Sequence, residues 1–331
     1  MTTPRDGRYD FIKGLLMLGV IWGHLITAFL ANEPNHVAIH WIVRTYDMPF
    51  FMLISGYFLR FSIARHRVLP VLADKVTSLL LPCVLWSLLA SRFQNFISYY
   101  FLMAVFASSV ALALTSLLRR RAWQVVCVLA VTVLLHCFPD VPGNLSYLFP
   151  FFALGYFVDV PRLFRRRWAL PALLAWVAML CFWRVEYNIW SYDGCLVGRG
   201  VEALVIVTFR LLIALAGLMG VGHLCVWAYQ RFASSRHPLC QLILECGRLT
   251  MPLYILQQIV IFKLLAPLML LLCQRLGYNP LNFNQVVLGY VLAPLSALAL
   301  IYVLVKAVSW TKARRPWAYL WGVRAYSLLK R

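Results

Sequence analysis

Three ionisable side chains mark the start of the chain: Asp10 directly precedes the first apolar segment, and Lys13 and His24 lie within it. A helix turns about 100° per residue, so Lys13 and His24 would differ by about 20° around it, and Asp10 and His24 by about 40°. The three side chains would then lie along about 20 Å of one helix face. Ionisable groups in a membrane helix usually face the protein interior or a water-filled cavity. The spacing therefore predicts a buried polar site on this face.

His24 is the residue of this face that is best suited to catalysis. An imidazole with an ordinary pKa near 6.5 can take a proton at neutral pH. The sequence contains no nucleophile elbow, so the chemistry that fits is direct transfer, with His24 as base for an acceptor hydroxyl. From spacing alone, a histidine held by a neighbouring helix is equally compatible. Lys13 alone is equally compatible with a side chain that extends to the membrane surface.

The composition predicts the elements that position these residues. Of the 331 residues 63% are hydrophobic and 13% charged, whereas soluble domains carry about 25% charged residues. We therefore expect an all-α, polytopic membrane helical bundle of about ten transmembrane helices. Its hydrophobic segments are residues 11–31, 47–63, 76–91, 96–118, 123–138, 145–160, 168–184, 201–226, 250–273 and 285–308.

The basic residues predict the orientation of these helices. The formal charge is +20, and most Lys and Arg residues fall on one side if the ten segments alternate. The other side holds only Arg44, Arg92, Arg184, Arg199 and Arg275. Positive charge concentrates on the cytoplasmic side, which predicts cytoplasmic tails at residues 1–10 and 309–331. We expect these charges to contact anionic membrane lipids rather than nucleic acid, since no nucleic-acid-binding motif is present.

The chain resembles the acyltransferase-3 family of integral membrane O-acyltransferases, and the first sixty residues are the most specific part. They contain Arg8-x-Asp10-x-x-Lys13-Gly14, then Gly23-His24, then Met48-Pro49-Phe50-Phe51 followed by Ser55-Gly56-Tyr57. Weaker matches follow in order: Lys75 before Leu79-Leu80-Leu81-Pro82, the segment 147–156, and Gly247-Arg248-x-Thr250 with Tyr254-Ile255-Leu256.

The resemblance implies that residues 1–331 form a single transmembrane acyltransferase domain in a bacterial-type inner membrane. Such enzymes move acyl groups, often acetyl from acetyl-CoA, to hydroxyls of envelope carbohydrates or lipid-linked sugars. The acyl-CoA is a co-substrate, and neither a bound cofactor nor a metal is expected. The resemblance also makes His24 the expected base and places Lys13 near the acyl donor.

Some positions differ from the family pattern. Asp47 and Gln257 stand where many members have histidine, and Lys13 stands where arginine is usual. We expect Asp47 either to orient the His24 imidazole or to hydrogen-bond the sugar. Tyr254 and Gln257, three residues apart on one helix face, either bind the acceptor or contact another helix.

The basic residues near the cytoplasmic side predict a donor-binding site. Lys13 and Lys75, with Arg65 and Arg67, are candidates to bind the phosphates of CoA, although topology alone also accounts for the two arginines. Asp10 is too far from His24 to orient it, and we expect it at the donor end, paired with Lys13 or Arg8.

Two other functions also fit a helical membrane protein with buried charges. One is a transporter or flippase of sugars or lipids, although no matched repeat halves with broken helices are evident. The other is a non-catalytic membrane scaffold. Dependence on an acyl donor separates the enzyme from both alternatives.

Overall fold

The computed structural model describes residues 6–29, 37–89, 100–137, 144–184, 187, 196–232, 237–277, 284–312 and 319–321. The described residues form helices joined by short turns, and no strand occurs among them. The predicted all-α class is therefore confirmed for the part of the chain that the structure describes.

The described residues form sixteen α-helices, α1 to α16 in chain order. They are α1 Gly7–Phe29, α2 Ala38–Arg44, α3 Asp47–Arg65, α4 Val68–Lys75, α5 Leu81–Leu89, α6 Tyr100–Thr115, α7 Arg121–Cys137, α8 Leu145–Phe157, α9 Val160–Leu163, α10 Arg166–Leu180, α11 Leu196–Phe232, α12 Pro238–Arg248, α13 Thr250–Ile259, α14 Ala266–Arg275, α15 Gln285–Val287 and α16 Ala293–Lys312. A 3₁₀ turn follows at Tyr319–Trp321.

Each of the ten predicted hydrophobic segments overlaps a helix of the described residues. Among the described residues, five helices are long and apolar enough to cross a membrane, at Gly7–Phe29, Val68–Leu88, Gly200–Phe232, Thr250–Arg275 and Gln285–Lys312. Three shorter apolar helices, α6, α7 and α8, accompany them. Ten membrane crossings and cytoplasmic termini stay predictions.

Three of the long helices contain a π-helical segment. These wider turns lie at Val76–Leu80 between α4 and α5, at Val260–Leu265 between α13 and α14, and at Leu288–Leu292 between α15 and α16. π-helical turns inside α-helices occur frequently at functional sites. The three positions are therefore candidate locations for a functional site.

The described residues fall into two compact units, and the prediction of a single domain stays a prediction. The first unit comprises residues 1–47 and 222–314. In it, α1 packs against α12, α13 and α16. A Cβ atom at Gly14 would overlap the backbone oxygen of Ile243, and one at Gly247 would overlap that of Asp10. Two glycines thus let the backbones of α1 and α12 approach closely, as small residues do between membrane helices.

The second unit comprises residues 48–221 and 315–331. Here α3 and α8 approach through a reciprocal pair of glycines. A Cβ atom at Gly56 would overlap the carbonyl oxygen of Phe152, and one at Gly155 that of Leu53. The Ser55-Gly56 pair of the sequence therefore includes a helix-packing glycine. Phe50 and Phe51, which precede it, are buried against the rings of Phe164 and Phe101.

Candidate functional site

The three ionisable residues predicted on one face all lie on α1. This helix runs without a break from Gly7 to Phe29, so the register that relates Asp10, Lys13 and His24 is continuous. Asp10 and His24 are buried, and Lys13 is partly buried. An uninterrupted helix therefore presents a carboxylate and an ammonium near one end, and an imidazole about 16 Å further along.

The His24 imidazole is held by the side chain of Gln257 on α13. His24 Nδ1 lies 2.7 Å from Gln257 Oε1. The Gln257 amide nitrogen donates to the carbonyl oxygen of Tyr254 at 3.2 Å, which turns the amide oxygen towards the imidazole. Since that oxygen can only accept, the proton of a neutral His24 lies on Nδ1, and Nε2 keeps its lone pair. This is the protonation state that a general base requires.

Two further side chains from the Thr250–Arg275 span contact the imidazole. The Gln258 amide nitrogen lies 3.5 Å from His24 Nε2, at the limit of a hydrogen bond. Phe262, in the π-helical turn after α13, meets the imidazole edge-on with ring centroids 5.6 Å apart. The wide turn thus begins immediately after the residues that hold His24.

Trp22, two residues before His24, also contacts a π-helical turn. Trp22 donates its indole N–H to the carbonyl oxygen of Gly289 at 2.7 Å, and Gly289 lies in the turn between α15 and α16. Two of the three π-helical segments therefore contact the α1 residues at 22–24, where the candidate base lies.

Near the start of α1, Asp10 joins two cations. Its carboxylate lies 3.1 Å from Lys13 Nζ and 3.8 Å from Arg248 Nε at the end of α12. The expected pair with Lys13 is present, whereas Arg8 pairs with Asp6 at 2.7 Å. Asp10 is buried while the Arg248 side chain is half exposed. The carboxylate therefore holds two cations close together at this end of α1, where an anion could be bound.

The structure brings Gln257 to His24 and does not bring Asp47 there. Asp47 begins α3 and is buried, but the hydrogen bonds of His24 within the described residues go to Gln257 and Gln258. Gln257 therefore holds the imidazole through Nδ1, and a role of Asp47 in binding a sugar stays a prediction. Tyr254 is buried one turn before Gln257. Lys75 ends α4 in the second unit, directly before a π-helical turn.

The sequence reasoning missed Arg248 as a partner of Asp10 and Gln257 as the partner of His24. In the sequence, Arg248 stands out only as part of a motif, and Gln257 only as a residue for the acceptor or for helix contacts. It also missed His40 and Arg44, which lie near His24 and are one helical turn apart on α2. A polar residue in an apolar helix, or a basic pair at this spacing, is the signal that could have drawn attention to them.

Among the described residues, no group of three His, Cys, Asp or Glu side chains could hold a metal ion.

Comparison with known proteins gives one family. The family model for an acyltransferase domain, acyltransferase-3, matches residues 6–311. The nodulation protein NolL of Sinorhizobium fredii is 25% identical over 289 residues, which cover 76% of this chain and 77% of that protein. Nodulation protein NolL of Mesorhizobium japonicum is 24% identical over 226 residues, or 58% and 60% of the two chains. No solved structure is a significant match.

Proposed function

The chain belongs to the acyltransferase-3 family, and on that basis we propose that it is a membrane O-acyltransferase that moves acetyl from acetyl-CoA to a hydroxyl of an envelope carbohydrate or lipid-linked sugar. Family membership supports acyl transfer, and the apolar helices support an integral membrane location. The acetyl-CoA donor, the carbohydrate acceptor and the bacterial inner membrane belong to the proposal.

The observation that supports His24 as the base is the direction of its hydrogen bond to Gln257. The bond occupies Nδ1, while Nε2 keeps its lone pair and meets only the long, 3.5 Å approach of the Gln258 amide nitrogen within the described residues, which a substrate hydroxyl would displace. The bond from Gln257 to the Tyr254 carbonyl fixes the amide, so the tautomer is set before substrate arrives.

The reaction then proceeds by direct transfer. His24 Nε2 takes the proton of the acceptor hydroxyl as its oxygen attacks the thioester carbon. A new C–O bond forms, the C–S bond breaks, and the CoA sulfur leaves with the proton that His24 had taken. The imidazole returns to its neutral form and no acyl group is attached to the protein. The neutral Gln257 amide orients the imidazolium in this scheme without adding a negative charge beside it.

The Asp10, Lys13 and Arg248 cluster is the proposed site for the phosphates of CoA. It lies about 16 Å from His24 along α1, a distance that the pantetheine arm can cover. Asp10 would hold Lys13 and Arg248 in place rather than touch the phosphates, because like charges repel. Lys75 is a further candidate for donor binding in the second unit. Asp47 and Tyr254 are candidates for the acceptor.

The test is transfer of radiolabelled acetyl from acetyl-CoA by membranes that contain the wild-type protein or His24→Ala at matched amounts. We expect label in a carbohydrate or lipid-linked fraction with wild type and a decrease of about 100-fold or more with His24→Ala. His66, which is exposed just after α3, provides the control, and His66→Ala should transfer as wild type does.

Three outcomes would count against parts of the proposal. Equal labelling by wild type and His24→Ala would keep the enzyme and remove His24 as base. Labelling with succinyl-CoA but not with acetyl-CoA would replace the donor. If no acyl-CoA gives labelling above empty membranes, acyl transfer from CoA is excluded and a transporter or scaffold becomes the better explanation.

A further inference from the structure

A second polar pair lies beside His24. Helix α2 places His40 and Arg44 over the part of α1 formed by Gly23 and Thr27. The Cδ2 atom of His40 would lie 3.7 Å from a Cβ atom at Gly23, and Nη2 of Arg44 would lie 3.8 Å from it. Gly23 directly precedes His24 and Thr27 follows it by three residues, so the pair covers a face adjacent to that of the candidate base.

The hydrogen bonds of His40 define its protonation. The guanidinium Nε–H of Arg44 donates to His40 Nε2 at 3.2 Å. An arginine N–H always donates, so Nε2 must carry a lone pair and the proton of His40 must lie on Nδ1. The hydroxyl of Thr27 lies 3.1 Å from the same Nε2. Burial, followed by the charge of Arg44 and then by His24, lowers the pKa of His40 to about 3, which keeps its imidazole neutral at physiological pH.

This arrangement fixes the guanidinium of Arg44. Its Nε–H donates to His40. Its Nη2 group lies close to Gly23 on α1. Glycine at this position puts no side chain between the guanidinium and the α1 backbone. No carboxylate pairs with Arg44 among the described residues. A partly buried positive charge is thus held close to His24 without an anionic partner in this part of the protein.

The proposed reaction can use such a charge. When the acceptor oxygen attacks the thioester, the carbonyl oxygen becomes negatively charged, and donors that are already in place stabilise it. The backbone N–H groups of α1 are engaged within an unbroken helix, so they are not available for this. His24 itself is occupied with the proton of the acceptor. A side-chain donor beside His24 can take this role.

We propose that the Arg44 guanidinium binds the developing oxyanion of the acyl group, and that His40, as a positioning residue, holds the guanidinium in place for it. This inference rests on the proposed function, because the oxyanion arises only in acyl transfer. Arg44 would act through contact with the reacting carbonyl, whereas His40 would act only through Arg44. Activity lost on replacing Arg44 should therefore be restored by a free guanidinium ion. Activity lost on replacing His40 should be kept by a side chain that still accepts from Arg44.

The experiment compares initial rates of acetyl transfer at varied acetyl-CoA for wild type, Arg44→Ala, Arg44→Lys, His40→Ala and His40→Gln. We expect Arg44→Ala to lower kcat by about 100-fold while KM changes by less than about twofold. Millimolar guanidinium should restore part of the activity of Arg44→Ala and none of that of His24→Ala. His40→Gln should exceed His40→Ala by about tenfold, since an amide oxygen can also accept from Arg44 Nε. Arg275→Ala removes an exposed arginine at the end of α14 and should match wild type.

The outcomes separate this inference from the function on which it rests. Wild-type transfer with an unchanged kcat in Arg44→Ala overturns the oxyanion role and leaves the enzyme in place. A higher KM with unchanged kcat overturns it as well, and indicates binding of an anionic group in the ground state instead. Loss of activity without rescue by guanidinium would assign Arg44 a structural role. Absence of transfer by wild type with every acyl-CoA would overturn the proposed function and this inference together.

Discussion

His24 on α1 and Gln257 on α13 are 233 residues apart in the chain and 2.7 Å apart at their Nδ1 and Oε1 atoms. An amide is a neutral acceptor, so it selects the tautomer of the imidazole without supplying a negative charge. In hydrolases that use a Ser-His-Asp triad, a carboxylate has both tasks. If the imidazolium formed here during transfer is stabilised, that stabilisation must come from elsewhere in the site.

Replacement of Gln257 by methionine should lower kcat by about 10- to 100-fold, as loss of a residue that orients a functional histidine commonly does. Methionine has a similar size but offers no strong acceptor to Nδ1, so the imidazole is free to change its tautomer or ring orientation. Gln257→Glu keeps an acceptor oxygen and should retain more activity than Gln257→Met. Steady-state kinetics of acetyl transfer measure the difference.

Gln258 is the matched control for this prediction. Its amide nitrogen lies 3.5 Å from His24 Nε2, so Gln258→Met removes only a long contact and should lower kcat by less than Gln257→Met. An equal loss in the two variants would show that the hydrogen bond to Nδ1 has no special role.

The sequence allowed prediction of the helices and of one face of the site. Hydrophobic length located all ten segments, because a run of apolar residues long enough to span is a strong signal. The 3.6-residue period then related Asp10, Lys13 and His24, since their positions depend on one helix alone. The pairing of Asp10 with Lys13 followed for the same reason.

The partners from other helices could not be predicted in this way. The contacts from Gln257 to His24 and from Arg248 to Asp10 each join residues more than two hundred positions apart, and their formation depends on how α1 packs against α12 and α13. A glutamine in an apolar helix is compatible with substrate binding, helix contacts or orientation of a histidine. The packed structure shows the contact with the histidine, which is one of the two roles expected of Asp47, while acceptor binding by Gln257 stays a prediction.

Alanine at Gly14 should destabilise the packing of α1 on α12. Its Cβ would overlap the backbone oxygen of Ile243, which cannot rotate away. We expect a loss of about 3 kcal/mol in the free energy of unfolding, at the upper end of the usual cost of overpacking. Gly23→Ala on the same helix meets its nearest atom at 3.7 Å and should keep wild-type stability, because alanine also favours a helix. Thermal unfolding of the two variants in detergent measures the contrast, and equal melting temperatures would contradict the packing described here.

Replacement of Arg248 by alanine should weaken binding of the acyl donor. The guanidinium is half exposed, and Asp10 holds it close to Lys13, so its removal deletes a cation without leaving a buried charge unpaired. We expect KM for acetyl-CoA to rise by about tenfold with little change in kcat, as loss of an interaction present equally in ground and transition states produces. Addition of salt should raise the wild-type KM towards that of the variant.

Arg275→Ala again controls for the loss of a single positive charge, because Arg275 is exposed at the end of α14. Its KM for acetyl-CoA should equal that of wild type. A lower kcat at unchanged KM in Arg248→Ala would place Arg248 in the transfer step, contrary to a role in binding CoA phosphates.

The neutral state of His40 should make the protein sensitive to acid. Burial, with the charge of Arg44 and then His24, lowers the pKa of His40 from 6.5 to about 3 in the folded state. The unfolded chain therefore binds a proton at pH values where the folded chain does not. The resulting stability is fully present above about pH 6.5 and is lost as pH falls towards about 3, by about 1.4 kcal/mol per pH unit.

His40→Gln removes this titration and keeps an acceptor for Arg44. Between about pH 7.5 and about pH 5.5 we expect the variant to lose about 1.4 kcal/mol less unfolding free energy than wild type, since only the part of this range below about pH 6.5 contributes. His66→Gln changes an exposed histidine and should follow the wild-type curve. If His40→Gln also followed it, the folded and unfolded chains would protonate His40 over the same pH range, and the pKa of His40 would not be lowered in the folded protein. That result would contradict the buried environment beside Arg44 described for His40.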